Sequence, residues 1–171
     1  MTVLDITSLA SSIYGEPVTT ATAKTWINEA LQMLGSQLYN MAETQIDVTD
    51  ASLTYILPSD FIQVDQVLTE RGVPYRHWEA WGKNIKFAHR DRYTVRYYRT
   101  AAQVSADTDQ PDCHILFHPA FAYYIIYREE SKYMPGDAEA NYWYNEFLAR
   151  IGQAVSQIQK RPRRILTGRW A

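Results

Sequence analysis

Apolar residues recur at three- and four-residue steps in three long stretches of the chain, and at two-residue steps between them. From Ala23 to about Glu43, Ile27, Leu31, Leu34, Leu38 and Met41 form such a stripe, widened by Trp26 and Ala30. This predicts an amphipathic helix over 23–43, with Thr22 as its N-cap. A shorter helix is expected over 4–14, capped by Thr2 or Asp5 and ended by Gly15. Towards the far end, Pro119 suits a first helical position, and Ala120 to Met134 runs without a breaker until Pro135-Gly136. Asp137 then caps a second helix that continues to about Gln159, before Pro162 forbids more. In it Ala140, Tyr144, Phe147, Ile151, Ala154 or Val155, and Ile158 make one stripe. The short connection forces helices 119–134 and 137–159 antiparallel, so the stripe faces Phe121, Tyr124 and Ile125.

Between the helices the period changes to two. Ile46, Val48, Leu53, Tyr55 and Leu57 alternate with polar residues, as do parts of Phe61 to Leu68 and Tyr93 to Tyr97. Glu70-Arg71-Gly72 reads as a turn between strands 61–69 and 73–77, and Gly82-Lys83-Asn84 as a second turn into Ile85–Ala88. His89 to Arg92 is a polar third turn. Four to six short antiparallel strands are expected over 45–104, then a polar loop over 101–111 and an extended stretch over 113–117. Helices, then strands, then helices describe an α+β fold, mainly α. It is an antiparallel helical bundle carrying an antiparallel β-rich insertion and ending in an extended basic tail. A single domain over 1–160 and a tail over 161–171 follow from that division.

At 171 residues and 46% hydrophobic content the chain has material for a sizeable core. One cysteine, Cys113, leaves no intramolecular disulfide framework and fits a reducing compartment. No charged-then-apolar leader opens the sequence, so no signal peptide is expected. The longest uncharged apolar stretch, 117–127, falls short of the roughly 20 residues that span a bilayer. The net charge of −2 conceals an asymmetry. No acidic residue follows Glu146, whereas Arg150, Lys160, Arg161, Arg163, Arg164 and Arg169 do, leaving 11 cations against 19 anions over 1–146. An acidic body thus carries a basic end, a pattern that acts on partners rather than on the fold.

Catalytic chemistry finds little footing. Asp112, Cys113, His114 and His118 bring metal-ligand types together, but Pro119 disfavours a helix that would align both histidines, and four ligands at a recognised spacing are missing. Neither a phosphate-binding glycine loop nor a GxSxG or HExxH motif occurs. Glu129, Glu130 and Glu139 read as solvated ion-pair partners beside Arg128 and Lys132. No enzyme, metal or cofactor is expected. Aromatics crowd the closing helices instead: Tyr123, Tyr124, Tyr127, Tyr133, Tyr142, Trp143 and Tyr144. One stripe has no room for all of them, so they either pack against the insertion or serve a protein interface. Tyr123, Tyr127, Tyr142 and Trp143 are the subunit-interface candidates.

The tail has three readings. It is a nucleic-acid arm, with arginines on phosphates and Trp170 on a base; or a solvated charged end; or a peptide that orders on a partner protein. Ile165, Leu166 and Trp170 have no use in a purely electrostatic arm, which favours the third.

Several segments resemble the head–tail connector (adaptor) proteins of tailed bacteriophages. Lys24-Thr25-Trp26-Ile27-Asn28-Glu29-Ala30-Leu31 resembles their opening helix. Tyr55-Ile56-Leu57-Pro58-Ser59-Asp60-Phe61-Ile62 is similar to the step that enters their β insertion. His118-Pro119-Ala120-Phe121-Ala122-Tyr123-Tyr124 with Gly136-Asp137-Ala138-Glu139-Ala140 looks like their closing helix pair. The resemblance implies a structural virion protein, made in the bacterial host cytoplasm and placed at the head–tail interface. It would form a ring, usually a dodecamer, beneath the portal protein, contacting neighbouring copies of itself and a downstream tail or neck protein. DNA would pass through the channel without sequence-specific binding, and no membrane is involved. By the same resemblance Lys160, Arg161, Arg163, Arg164, Ile165, Leu166, Arg169 and Trp170 would dock on the portal. The runner-up is a nucleic-acid-binding protein that uses the same tail.

Overall fold

A computed structural model describes residues 1–38, 40–50, 53–133 and 136–159. Among the described residues the fold is α+β, with four α-helices and two three-stranded antiparallel sheets. The first helix, α1 (Val3–Tyr14), opens on a capping box in which Thr2 and Asp5 bond each other's backbone N–H groups, and closes on Gly15 at φ 81°. The second, α2, covers Thr20–Leu34, and Thr19 rather than Thr22 is its cap. Thr19 Oγ accepts the Thr22 N–H, so the expected cap residue lies inside the first turn.

The expected helix over 23–43 is cut short. Gly35 takes φ 47°, a conformation that no helix interior holds, and a 3-10 turn over Gly35–Leu38 follows. Met41 and Glu43, expected at the helix end, lie instead in strand β1 (Met41–Asp47). The Met-Ala-Glu-Thr-Gln-Ile-Asp run alternates in burial, which is strand behaviour, and only Ile46 is fully inside.

Strand β1 pairs with β6 (Arg92–Arg99), which pairs on its other side with β3 (Phe61–Thr69); the β3 pairing shifts register twice. The second sheet has β5 (Asn84–Phe87) between β2 (Tyr55–Ile56) and β4 (Trp78–Trp81). Gly82 and Lys83 form the two-residue turn between β4 and β5, with Gly82 at φ 55°. The strand expected over 73–77 reduces to one bridge between Leu68 and Pro74. Thr69 and Tyr75 donate to the Val73 and Val67 carbonyls on either side of that bridge, and the next strand, 78–81, takes β5 as its partner instead. The two sheets share a core of Ile46, Val48, Leu57, Val67, Ile85, Phe87, Tyr93 and Val95, in which Phe87 stacks on Tyr93 at 4.5 Å.

The stretch over 113–117, expected extended, ends in a 3-10 turn over Ile115–Phe117 that His114 caps. Beyond it come α3 (Ala120–Tyr133) and α4 (Ala138–Gln159). Tyr127 meets Tyr144 and Tyr124 meets Phe147, at ring separations of 4.9 and 5.0 Å, so the pair is antiparallel. The α4 stripe is the buried one: Ala140, Phe147, Ile151 and Ala154 are inside. Helix α3 is central, packed by α4 on one side and by α1 and α2 on the other. Its Phe121, Ile125 and Ile126 are fully buried. Val104, at the end of the expected insertion, belongs to this helical core.

Asp112 fastens the β region to the helices. Arg99 of β6 reaches its two carboxylate oxygens at 2.7 and 2.9 Å, and Asn40, just before β1, donates to its carbonyl. The β region is therefore anchored beside the start of α3.

Candidate functional site

The residues with metal-ligand chemistry are occupied in the fold. His114 accepts the Leu116 N–H, Asp112 holds Arg99, and His118 is buried, with Nδ1 at 3.1 Å from the Met1 amine and Nε2 near the Cys113 carbonyl. Burial pushes the Cys113 thiol up to about 12, with the Asp112 carboxylate adding to it, so the sulfur is held protonated. Burial lowers the His118 pKa, keeping the imidazole neutral. Glu129 accepts from Trp26 Nε1 at 3.0 Å and pairs with Lys132, and Arg128 lies 4.4 Å over the Trp26 ring. These contacts lock α2 on α3. They are structural.

The four aromatic candidates divide. Tyr127 sits between Tyr124 and Tyr144, part of the packing of α3 on α4. Tyr123, Trp143 and Tyr142 make a continuous group along the α3–α4 seam, at 6.2 Å and 4.9 Å between successive rings, with Arg150 4.9 Å over Tyr123. Tyr142 is 55% exposed, and Trp143 Nε1 is buried without a partner among the described residues. All eight tail residues expected to dock on a portal, from Lys160 to Trp170, lie outside the described residues.

Two further surfaces come from the fold. At the finish of α3, burial raises the Tyr14 pKa, and the nearby carboxylates of Glu130, Glu16 and Glu129 add to it. Because α4 runs back along α3, Asp137 and Glu139 at its start share that end, beside Tyr133, which is 79% exposed. Glu16, Asp137 and Glu139 are exposed and make no ion pair among the described residues. This is an acidic end.

The second surface is the β4–β5 hairpin with its flanks. Residues 71–90 hold Arg71, Arg76, Lys83, Lys86 and Arg90 against Glu79 alone. None of those five cations forms an ion pair among the described residues, although Arg92, Arg96 and Arg99 just beyond them all do. Arg76, His77, Trp78, Glu79 and Lys86 line an open cleft of about 480 Å³. His77 and His89 stand 6.1 Å apart between ring centres, and Tyr75 bonds His89 Nδ1 at 2.8 Å. Dividing the charge at Glu146 hides this patch inside the acidic total; a twenty-residue window finds it.

No helix among the described residues is long and apolar enough to cross a membrane. No curated protein matches the chain with significance. A family model described as SU10 adaptor protein matches residues 1–169, nearly the whole chain and most of its basic end. The chain therefore belongs to the SU10 adaptor protein family, and so to the head–tail adaptors of tailed bacteriophages.

Proposed function

We propose that this protein is a structural component of the virion neck, forming a ring below the portal that bridges it to the next tail component and lines the DNA channel. The observation that carries this reading is the extent of the family match. It runs from residue 1 to 169, so the basic end belongs to the adaptor pattern along with the folded body. In this reading Lys160 to Trp170 dock on the portal, with the arginines setting orientation and Ile165, Leu166 and Trp170 as apolar anchors. The aromatic seam of Tyr123, Tyr142 and Trp143, which presents the exposed Tyr142, meets a neighbouring protein. An acidic body suits a channel in which DNA must slide, since attraction to phosphates would hold it.

The direct test is truncation after Gln159. The shortened chain is expected to keep its helical circular dichroism and lose its association with portal rings. A truncated protein that joins portals as well as the full chain does would remove the tail from the mechanism.

A further inference from the structure

We infer that the basic β4–β5 hairpin of one copy docks on the acidic α3–α4 end of a second copy, making the head-to-tail contact that builds the ring; this deepens the ring reading above and rests on it. Both surfaces are charged beyond what the fold requires. The body's other cations are matched at home: Lys24 with Asp107, Arg92 with Asp47, Arg96 with Glu43, Arg99 with Asp112, Arg128 with Glu29 and Lys132 with Glu129. Among the described residues the hairpin instead keeps Arg71, Arg76, Lys86 and Arg90 without an ion pair, and the helix end keeps Glu16, Asp137 and Glu139 without one.

One copy cannot satisfy the contact by itself. The β region is tied to the start of α3 through Asp112, whereas the acidic cluster lies at its finish. Fourteen residues of helix separate the two, a rise of about 21 Å. Two different patches on one chain give a heterologous contact, the kind that closes into rings, rather than the self-complementary contact of a two-fold dimer. Each patch also offers exposed apolar surface to the contact. Trp81 and Ile56 flank Asn84 in one row across the second sheet, 48% and 81% exposed, and Tyr133 stands beside the carboxylates. An arginine over that tyrosine face would add to the charge attraction.

Charge also favours a protein over DNA as the occupant. Outside the hairpin, residues 1–146 hold six cations against 18 anions. That surface repels a duplex approaching the hairpin, and the same surface on another copy attracts it.

The test uses two full-length charge-reversed proteins. One carries Arg76→Glu, Lys86→Glu and Arg90→Glu; the other carries Glu16→Lys, Asp137→Lys and Glu139→Lys. All six positions are exposed, and circular dichroism checks each fold. Copies bound per portal ring are counted by native mass spectrometry at low and moderate salt. Wild type is expected to fill the ring, each variant alone to lose at least tenfold in occupancy, and an equal mixture to recover it, because reversed and native patches then alternate. Full occupancy by either variant alone, or a mixture that fails to recover, overturns the contact while leaving the ring reading intact. A hairpin variant that fills the ring but loses salt-sensitive binding to a 20-base-pair duplex would give the patch to DNA and also overturn it. Wild type that never places neighbouring copies on a portal would sink the ring reading itself, and this contact with it.

Discussion

The helical layer and the β region obey different rules of closure. Along the body of α3, short of its acidic finish, charges and apolar groups find partners within the chain: Trp26 is held by Glu129 and Arg128, and Phe121, Ile125 and Phe147 are sealed from water. The β region has its own small core, but its outer hairpin with its flanks leaves cations, two histidines and Trp81 in solvent, and Ile56 of the neighbouring β2 with them. Residues explained by their own fold carry stability. Those left unexplained by it are where a partner is to be sought.

The sharpest way to break that contrast is through the cores. Phe121→Ala is expected to cost about 3–5 kcal/mol of unfolding free energy, since a buried aromatic leaves both a lost transfer term and a cavity. Phe87→Ala should cost a similar amount locally, with a different appearance. The two hydrophobic clusters share no buried residue, so urea should unfold the sheets while the helical signal at 222 nm persists. A single coincident transition in Phe87→Ala would show that the two regions fold as one unit.

A smaller effect comes from the Asp112 fastening between the regions. Burial works to raise its pKa, but the Arg99 guanidinium and the Ala102 N–H outweigh burial and hold it below the usual carboxylate value. A carboxyl with a depressed folded pKa contributes stability above its unfolded value, near 3.9, and loses it as pH falls through the folded value. Wild type should therefore weaken below about pH 4, and Asp112→Asn should be less stable at pH 7 with a flatter acid limb. Equal acid limbs in thermal melts would show that the pair does not hold the regions together.

The smallest effect belongs to the hairpin. Reversing Arg76, Lys86 and Arg90 should leave the melting temperature within about a degree of wild type, because exposed, unpaired charges contribute little to folding. A large drop would mean that the patch serves the fold after all.

The helices were legible because their signals are local. The α4 stripe, the Thr2–Asp5 box and the Gly15 stop all operate within a few residues. What escaped was decided elsewhere. The apolar stripe through Leu38 and Met41 continues past Gly35, and only pairing with Tyr98 of the distant β6 shows that Met41 belongs to a strand. Likewise the stretch over 73–77 meets β3 only around the Leu68–Pro74 bridge, and the partner that makes 78–81 a strand is β5. Of the surface candidates, Tyr142 and Trp143 are placed at a seam by helical spacing, but the spacing could not tell that Tyr127 packs on Tyr144 across the helix pair. The convergence of Glu16 with Glu130 depends on α1 and α3 running parallel, which no local pattern encodes.

The central claim is assembly at a portal, and mass answers it most directly. Light scattering of the full chain, alone and mixed with purified portal rings at moderate salt, should give a complex carrying many copies per portal. The truncation after Gln159 should give none. A mixture in which portal and protein elute separately at their own masses would contradict the account.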